Sequence, residues 1–350
     1  MTHWLFQQLG VKHPVIQAPM AGVSTPDMAA AVSDAGGLGS LGLGASTVAA
    51  ARAMIAETRR LTDHSFNVNL FCHLPASRDP AREAAWLAAM APEFARFGAA
   101  PPEALHEIYE SFQTNDAMLE MLLEERPAVV SFHFGLPAPE KIVALRDAGC
   151  VLLASATSLD EARAIAAAGI DAIVAQGIEA GGHRGVFDPG APDAALSTAD
   201  LVHLLVGQVP CPVIAAGGIM SGGDIRRMLD LGAVAAQLGT AFVACDESAA
   251  DAAYRAALVD PAVNPSVLTP ALSGRPARCL QNRFVRWSET ARVPVPSYPV
   301  AYDAAKALAA ASHAAGEVGY GAQWAGTGAM QARAVPASDI MAGLVAEMTA

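Results

Sequence analysis

Short apolar runs recur along this chain, separated by stretches that mix apolar and charged residues. The runs begin near Pro14 (Val-Ile-Gln-Ala-Pro-Met20), Gly37 (Leu-Gly-Ser-Leu41), Phe66 (Asn-Val-Asn-Leu-Phe71) and Ala128 (Val-Val-Ser-Phe-His-Phe134). Four more begin near Val151 (Leu-Leu-Ala-Ser155), Ala172 (Ile-Val-Ala-Gln176), Pro212 (Val-Ile-Ala-Ala216) and Ala235 (Ala-Gln-Leu-Gly-Thr240). A short run without polar alternation reads as a strand covered on both faces, as in parallel sheets. Most steps between runs are about 20 to 30 residues, room for one crossover helix. Thr25-Pro26 offers a helix cap followed by proline at the first helical position. Ser158 with Glu161, and Ser221 with Asp224, have capping-box spacing. Gly36-Gly37, Gly149, Gly169 and Gly232 stand where helices close before the next strand. Eight such units predict an α/β fold, a closed (β/α)8 TIM barrel, with an open doubly wound sheet as the alternative.

Two steps are too long for a single helix. The first holds two helical stretches, about 82–97 and 102–125, and predicts an insertion over about 75–125. After Thr240 a helical, proline-broken stretch over 246–315 predicts a cap over the barrel mouth, and 316–350 a segment returning to the barrel. The barrel itself then occupies 1–245. Caps matter to chemistry because they exclude water.

The chain has 350 residues, 53% of them hydrophobic and only 6% aromatic, a composition that suits helix-on-strand packing. With 34 acidic against 22 basic residues and a net charge of −12, it is a poor partner for nucleic acid. Its five cysteines are scattered and include no Cys-x-x-Cys pair, which points to a reduced, cytoplasmic protein without a metal site. No leader peptide or membrane-length apolar run is evident, so no membrane partner is expected; a monomer or homodimer is the expected state.

Candidate chemistry gathers at the C-terminal ends of the proposed strands. Segment 176–185, Gln-Gly-Ile-Glu-Ala-Gly-Gly-His-Arg-Gly, reads as a flexible turn that presents one imidazole, His183. An incidental surface loop explains its glycines but not its Gln, Glu, His and Arg. Asn69, His133, Gln176 and Gln237 lie at the same rim, with Met20 ending the first strand. Gly217-Gly218 and Gly239-Thr240 follow the seventh and eighth strands, where barrels commonly bind phosphate. Segment 37–42 matches Gly-x-Gly-x-x-Gly, but within a strand, and Glu57 lies in the helix expected over 49–60, so it fails as a dinucleotide site.

Several ordered motifs resemble the nitronate monooxygenases, once called 2-nitropropane dioxygenases. They are Gln17-Ala-Pro-Met-Ala-Gly-Val23, Asn67-Val-Asn-Leu-Phe71, Ser131-Phe-His-Phe-Gly135, segment 176–185, Ala215-Ala-Gly-Gly-Ile219 and Gln237-Leu-Gly-Thr240. Tyr298, Tyr302 and Lys306, then Trp324-Ala-Gly-Thr-Gly328, resemble the signature of the bacterial and fungal class I type, with Thr327 where Gln is expected. The resemblance implies FMN bound non-covalently by Met20, Gly22, Asn69, Gln176, Gly181, Gly218, Gln237, Leu238, Gly239 and Thr240. Asn69 and Gln176 would face the isoalloxazine ring. It implies oxidation of an alkyl nitronate, propionate 3-nitronate foremost, by flavin and dioxygen, to an aldehyde or semialdehyde with nitrite or nitrate. His183 is the implied catalytic residue, either as base toward a neutral nitroalkane or as the group that orients a nitronate. Tyr109, His133, Tyr254, Tyr298, Tyr302 and Lys306 are the implied substrate walls, with Lys306 able to pair with a substrate carboxylate.

The competing readings are an NAD(P)H:quinone reductase or enoyl-thioester reductase of the same superfamily, which share Glu-Ala-Gly-Gly-His. Gln176 and the Tyr298/Tyr302/Lys306 set favour the monooxygenase. An inosinate dehydrogenase relative needs a loop cysteine, whereas Cys150 and Cys211 stand at strand starts. A flavin-storage module leaves His183 without a purpose.

Overall fold

A computed structural model describes residues 3–262 and 265–350. The expectation of no leader rests partly on Met1 and Thr2, which, like Val263 and Asn264 of the expected cap, lie outside the described residues. The strands are β1 (Val15–Gln17), β2 (Gly39–Gly42), β3 (Phe66–Phe71), β4 (Val129–His133), β5 (Val151–Ala156), β6 (Ala172–Gln176), β7 (Gly182–His183), β8 (Val213–Ala216), β9 (Ala235–Leu238), β10 (Val267–Thr269) and β11 (Ala277–Cys279). Eight of them form one parallel sheet in the order β1-β9-β8-β6-β5-β4-β3-β2. A bridge between Ile16 and Leu38 joins its two ends, which closes the (β/α)8 barrel.

Alternation along the strands separates core from site. Val68, Leu70, Val130, Phe132, Leu152 and Ala154 pack outward against the helices. Ile16, Val129, Leu153, Val174 and Ile214 fill the lower barrel, whose floor is plugged by Leu5 and Phe6 of the helix Trp4–Gln8. Higher up, the same inward positions become polar: Asn69, Ser131, Ser155 and Gln176 border the mouth. A two-residue period therefore places polar groups on the mouth without exposing the core.

Helix boundaries follow local chemistry, with corrections. Thr25 accepts from Met28 N ahead of Pro26, and Ser221 with Asp224 forms a complete capping box. Ser158 does accept from Glu161 N, but the Glu161 carboxylate binds Thr157 N and Oγ1, so this box is only half made. Strand β1 stops at Gln17, because Pro19 has no N–H to donate to a ladder; Met20 lies in the following turn. The helix after β9 is only Thr240–Val243. Its place in the outer ring is taken by Ala337–Thr349, which packs on Gly222–Asp230 and Pro26–Asp34. A Cβ on Gly222 would stand 2.3 Å from Leu344 O, so this packing brings backbone against backbone.

The expected insertion and cap differ most from expectation. Helices Pro80–Ala95 and Asp116–Glu125 form, but 102–115 is not helical: Asn115 caps the second helix, and the preceding stretch carries Tyr109 to the cavity. Helix Pro80–Ala95 packs on Val300–Ala314, and Trp86, Met90, Phe94, Phe284 and Leu308 share one core there. The cap is not purely helical. Strands β10 and β11 form an antiparallel hairpin, and β11 pairs with β7 through Ala277 and His183. His183 therefore sits on a short strand instead of a flexible turn.

Candidate active site

Between the barrel mouth and the cap lies a cavity of about 720 Å³, a volume typical of ligand sites. It brings together Met20, Gly22, Asn69, Tyr109, His133, Gln176, Gly181, His183, Gly218, Gln237, Leu238, Gly239, Thr240, Tyr254, Tyr298, Tyr302 and Lys306. Leu238 borders it while its side chain belongs to the outer core. Asp251, exposed at the rim, is the only carboxylate lining the cavity among the described residues. No group of three or more His, Cys, Asp or Glu suited to a metal occurs among the described residues.

His183 is fixed from several sides. The Gln176 amide donates to the His183 carbonyl at 2.9 Å, while its oxygen accepts from Gly185 N at 2.7 Å. His183 Nε2 lies 2.8 Å from Ser273 Oγ on the cap hairpin. Trp324 and Phe134 meet the imidazole at centroid distances of 4.9 and 5.5 Å, the latter edge-to-face. Burial, then the nearby His133, Arg275 and His73, push the imidazole pKa down to about 3. His133, bonded through Nδ1 to Ser155 Oγ at 2.9 Å, is held near 4, mainly by burial. Both rings are neutral at pH 7. The other ionisable residues of this loop have structural tasks. Glu179 accepts from Thr198 N and Oγ1 at 2.9 Å. Arg184 forms a two-point pair with Asp193.

Aromatic side chains surround the imidazole, Tyr298 and Tyr302 at centroid distances of 5.5 and 6.3 Å from it. Phe134 adopts φ 72°, a left-handed conformation that bulky residues resist, and the turn sets its ring against His133, His183 and Tyr298. Tyr109 lies 6.5 Å from Tyr298 and 5.8 Å from Tyr302. Burial raises all four cavity phenols, Tyr302 to about 12, so each keeps its proton. The Tyr254 hydroxyl is committed to the Trp324 carbonyl. Lys306 places its ammonium 5.0 Å from the Tyr109 ring and 5.3 Å from that of Tyr302, a cation–π seat at an otherwise exposed residue.

The other end of the cavity is built from main chain. Gly217 and Gly218 have φ of 125° and 68°. A Cβ on Gly218 would come within 3.0 Å of Glu179 Cβ. Thr327 stands beside it, its Oγ1 3.4 Å from that Cβ position and its N–H bonded to Glu179 O. Gly181 is required for another reason: its Cβ would lie 2.6 Å from Gly326 N. Thr240 Oγ1 accepts from that same Gly326 N at 3.0 Å, tying the turn after β9 to the C-terminal segment. Gly22, at φ 78°, has nothing within 4 Å of a Cβ and is set by its conformation alone.

These features fit a phosphorylated planar cofactor. The Asn69 amide nitrogen donates to Ser131, to Oγ at 2.9 Å and to the carbonyl at 3.2 Å, which leaves the Asn69 oxygen as an acceptor at the cavity. Gln176 retains one N–H beyond the bond to His183. The glycine turns after β8 and β9 leave that end of the cavity free of side-chain bulk, room that a phosphate would need. Sequence reasoning did not single out Ser273, Arg275 or Phe134, and it gave Trp324 no role beyond its motif.

A barrel with a capped mouth, a fixed neutral imidazole and glycine turns on its last strands defines a TIM-barrel enzyme that acts on a small molecule. Comparison with known proteins gives the kind. The chain belongs to the nitronate monooxygenase family, whose profile matches residues 3–347. A "Nitronate monooxygenase" of Paraburkholderia phytofirmans is 56% identical over 98% of this chain and 94% of that protein. One of Pseudomonas aeruginosa is 54% identical over 99% of each. Among solved structures, nitroalkane oxidase from Streptomyces ansochromogenes superposes with a TM-score of 0.90 at 40% identity, covering 99% of this chain and 98% of that one. FabK from Thermotoga maritima matches at 0.75 and 29%, covering 100% and 96%. The protein is an oxidoreductase of the nitronate-oxidising kind. No helix among the described residues is long and apolar enough to cross a membrane.

Proposed function

We propose that the protein binds FMN in this cavity and oxidises alkyl nitronates with dioxygen, releasing an aldehyde or semialdehyde with nitrite or nitrate. The observation that carries this reading is a neutral His183 facing an aromatic cavity that holds a cation and, among the described residues, no carboxylate apart from the exposed Asp251. Such a cavity favours a planar anion. FMN would lie with its phosphate at Gly218, Gly239 and Thr240 and its ring toward Asn69 and Gln176, with Met20, Gly22, Gly181, Gln237 and Leu238 around it. When bound, it supplies the electron acceptor for the nitronate and passes electrons to dioxygen.

The chain's own part is binding and orientation. His183 orients the nitro oxygens of the anion, and its depressed pKa makes it a weak base toward a neutral nitroalkane. The protonated phenols of Tyr109, Tyr298 and Tyr302 offer donors and exclude water, whereas Tyr254 braces Trp324. His133 supports the β7 backbone through a 3.3 Å contact with the His183 carbonyl. Lys306 suits a substrate with a second anionic group, which makes propionate 3-nitronate the preferred candidate. The test is a visible spectrum of the purified protein, then anaerobic mixing with ethyl nitronate or NADPH. Flavin bleaching by the nitronate alone supports this reading. A colourless protein that FMN cannot reconstitute overturns it, and rapid bleaching by NADPH transfers the assignment to a reductase.

A further inference from the structure

Arg275 precedes β11 and is 3% exposed. Its guanidinium carbon lies 4.4 Å from the Phe134 ring centroid, and that same ring meets His183 and Tyr298. Nη2 donates to the carbonyls of Val186 and Phe187, and Nε is buried without a hydrogen-bond partner. Nearby Arg184, equally buried, has Asp193 as its counter-ion; Arg275 makes no ion pair among the described residues. Glu161 and Asp188 act on it only through the longer-range field. Tying the hairpin to segment 186–187 requires hydrogen-bond donors, not a charge. Burying a guanidinium without a counter-ion is costly, and the cost falls when an anion arrives nearby.

We infer that Arg275 is a positioning residue of this site: from behind Phe134, its unpaired charge makes the cavity prefer an anion to a neutral molecule of the same shape. The inference rests on the cavity's being the nitronate site. Other groups facing Arg275 are consistent with it. His73, His133 and His183 are all lowered, first by burial and then in part by Arg275 itself, so none competes as a cation at pH 7. Tyr298 stays protonated and supplies no negative charge.

Nitrate and nitromethane make a matched probe pair, planar and alike in size, one anionic and one neutral. Their dissociation constants are measured on the flavin-loaded wild type, Arg275→Met and Arg275→Lys. A charge at this range predicts that Arg275→Met weakens nitrate about tenfold or more while nitromethane changes little, and that Arg275→Lys recovers most of the loss. Parallel losses on both probes, or no rescue by lysine, overturn the inference. Imidazole NMR titration of the flavin-free protein supplies a second readout, with Arg275→Gln as a further variant should Arg275→Met fail to fold. The His183 pKa rises when the charge is removed, and an unchanged value in a folded variant counts against the proposal. If wild type prefers nitrate yet never oxidises a nitronate, the functional reading fails while the role of Arg275 stands.

Discussion

Ser273 Oγ stands 2.8 Å from His183 Nε2, and the serine is fully buried on the cap hairpin. The same hydroxyl accepts from Arg275 N at 3.4 Å and lies 3.3 Å from Arg275 O. Its one proton goes over the shorter distance to His183 Nε2, which then accepts. That leaves the ring proton on Nδ1, as a donor suited to an anion's oxygen. Ser273→Ala removes the brace without enlarging the ring's space, and a lost hydrogen bond of about 1–1.5 kcal/mol corresponds to about a tenfold fall in kcat/KM on ethyl nitronate. Nitrogen NMR of His183 checks the cause: the variant shows mixed tautomers where the wild type shows one. Unchanged turnover would mean that β7 pairing and Gln176 alone hold the ring.

Gly218→Ala tests the phosphate end. The φ of 68° strains any side chain, and the added Cβ presses on Glu179. Gly149 has φ 90° with nothing near a Cβ, far from the cavity, and serves as its control. Both substitutions cost roughly 1 kcal/mol of stability through the backbone. Only Gly218→Ala is expected to weaken FMN, about tenfold or more, in fluorescence titrations of the flavin-free protein. Equal FMN affinity in the two variants would place the phosphate elsewhere.

Lys306→Met separates the two anionic ends of a substrate. Because Lys306 is exposed, its attraction for a carboxylate is screened, and about 1 kcal/mol is a reasonable loss. KM for propionate 3-nitronate rises several-fold while that for ethyl nitronate stays near the wild-type value. Equal rises on both substrates assign Lys306 to the packing of Tyr109 and Tyr302 instead.

Acid should weaken the fold through His73, which is 1% exposed, has a buried Nδ1 without a partner, and is lowered to about 4 by burial, then Arg275. Between that value and the unfolded value near 6.5 the unfolded chain binds more protons, so stability rises with pH and is lost as pH falls. From pH 7 to pH 5 this single group accounts for about 2 kcal/mol. Urea titrations at the two pH values should show that His73→Phe loses correspondingly less than wild type. Identical losses would assign the acid sensitivity to other groups.

The barrel was legible because its signals are local. Most strands lie in short, mainly apolar runs, and Gly36, Gly149, Gly169 and Gly232 do end helices in left-handed conformations. The cap hairpin was not legible, since β10 and β11 are three residues each and owe their pairing partly to β7, about ninety residues earlier. Residues 102–115 read as helix from composition, yet they are drawn across the cavity by the burial of Tyr109 with Phe134 and Tyr298. Glu161 has capping-box spacing, but its carboxylate serves Thr157 and Phe187 N, contacts that spacing cannot reveal. Ser273 and Arg275 lie in a Ser-Gly-Arg-Pro turn that looks like any loop until the fold brings it against His183.

His183→Asn decides between the two roles open to the histidine. A general base must recover a proton from carbon, and an imidazole with its pKa near 3 is poorly matched to so weak an acid as a neutral nitroalkane. A group that orients an anion has no such requirement. Wild type is therefore expected to turn over nitroethane slowly at pH 7 and ethyl nitronate rapidly, with little variation in the nitronate rate from pH 6 to 8 arising from this ring. In His183→Asn the nitronate kcat/KM falls about tenfold to a hundredfold, since a fixed polar contact to the reacting group is lost. FMN content is measured alongside, because β7 also carries Gly182 and a collapsed strand would release cofactor and imitate a catalytic loss. Should nitroethane turnover vanish in the variant while nitronate turnover survives intact, His183 is a base after all, and flavin binding must have raised its pKa.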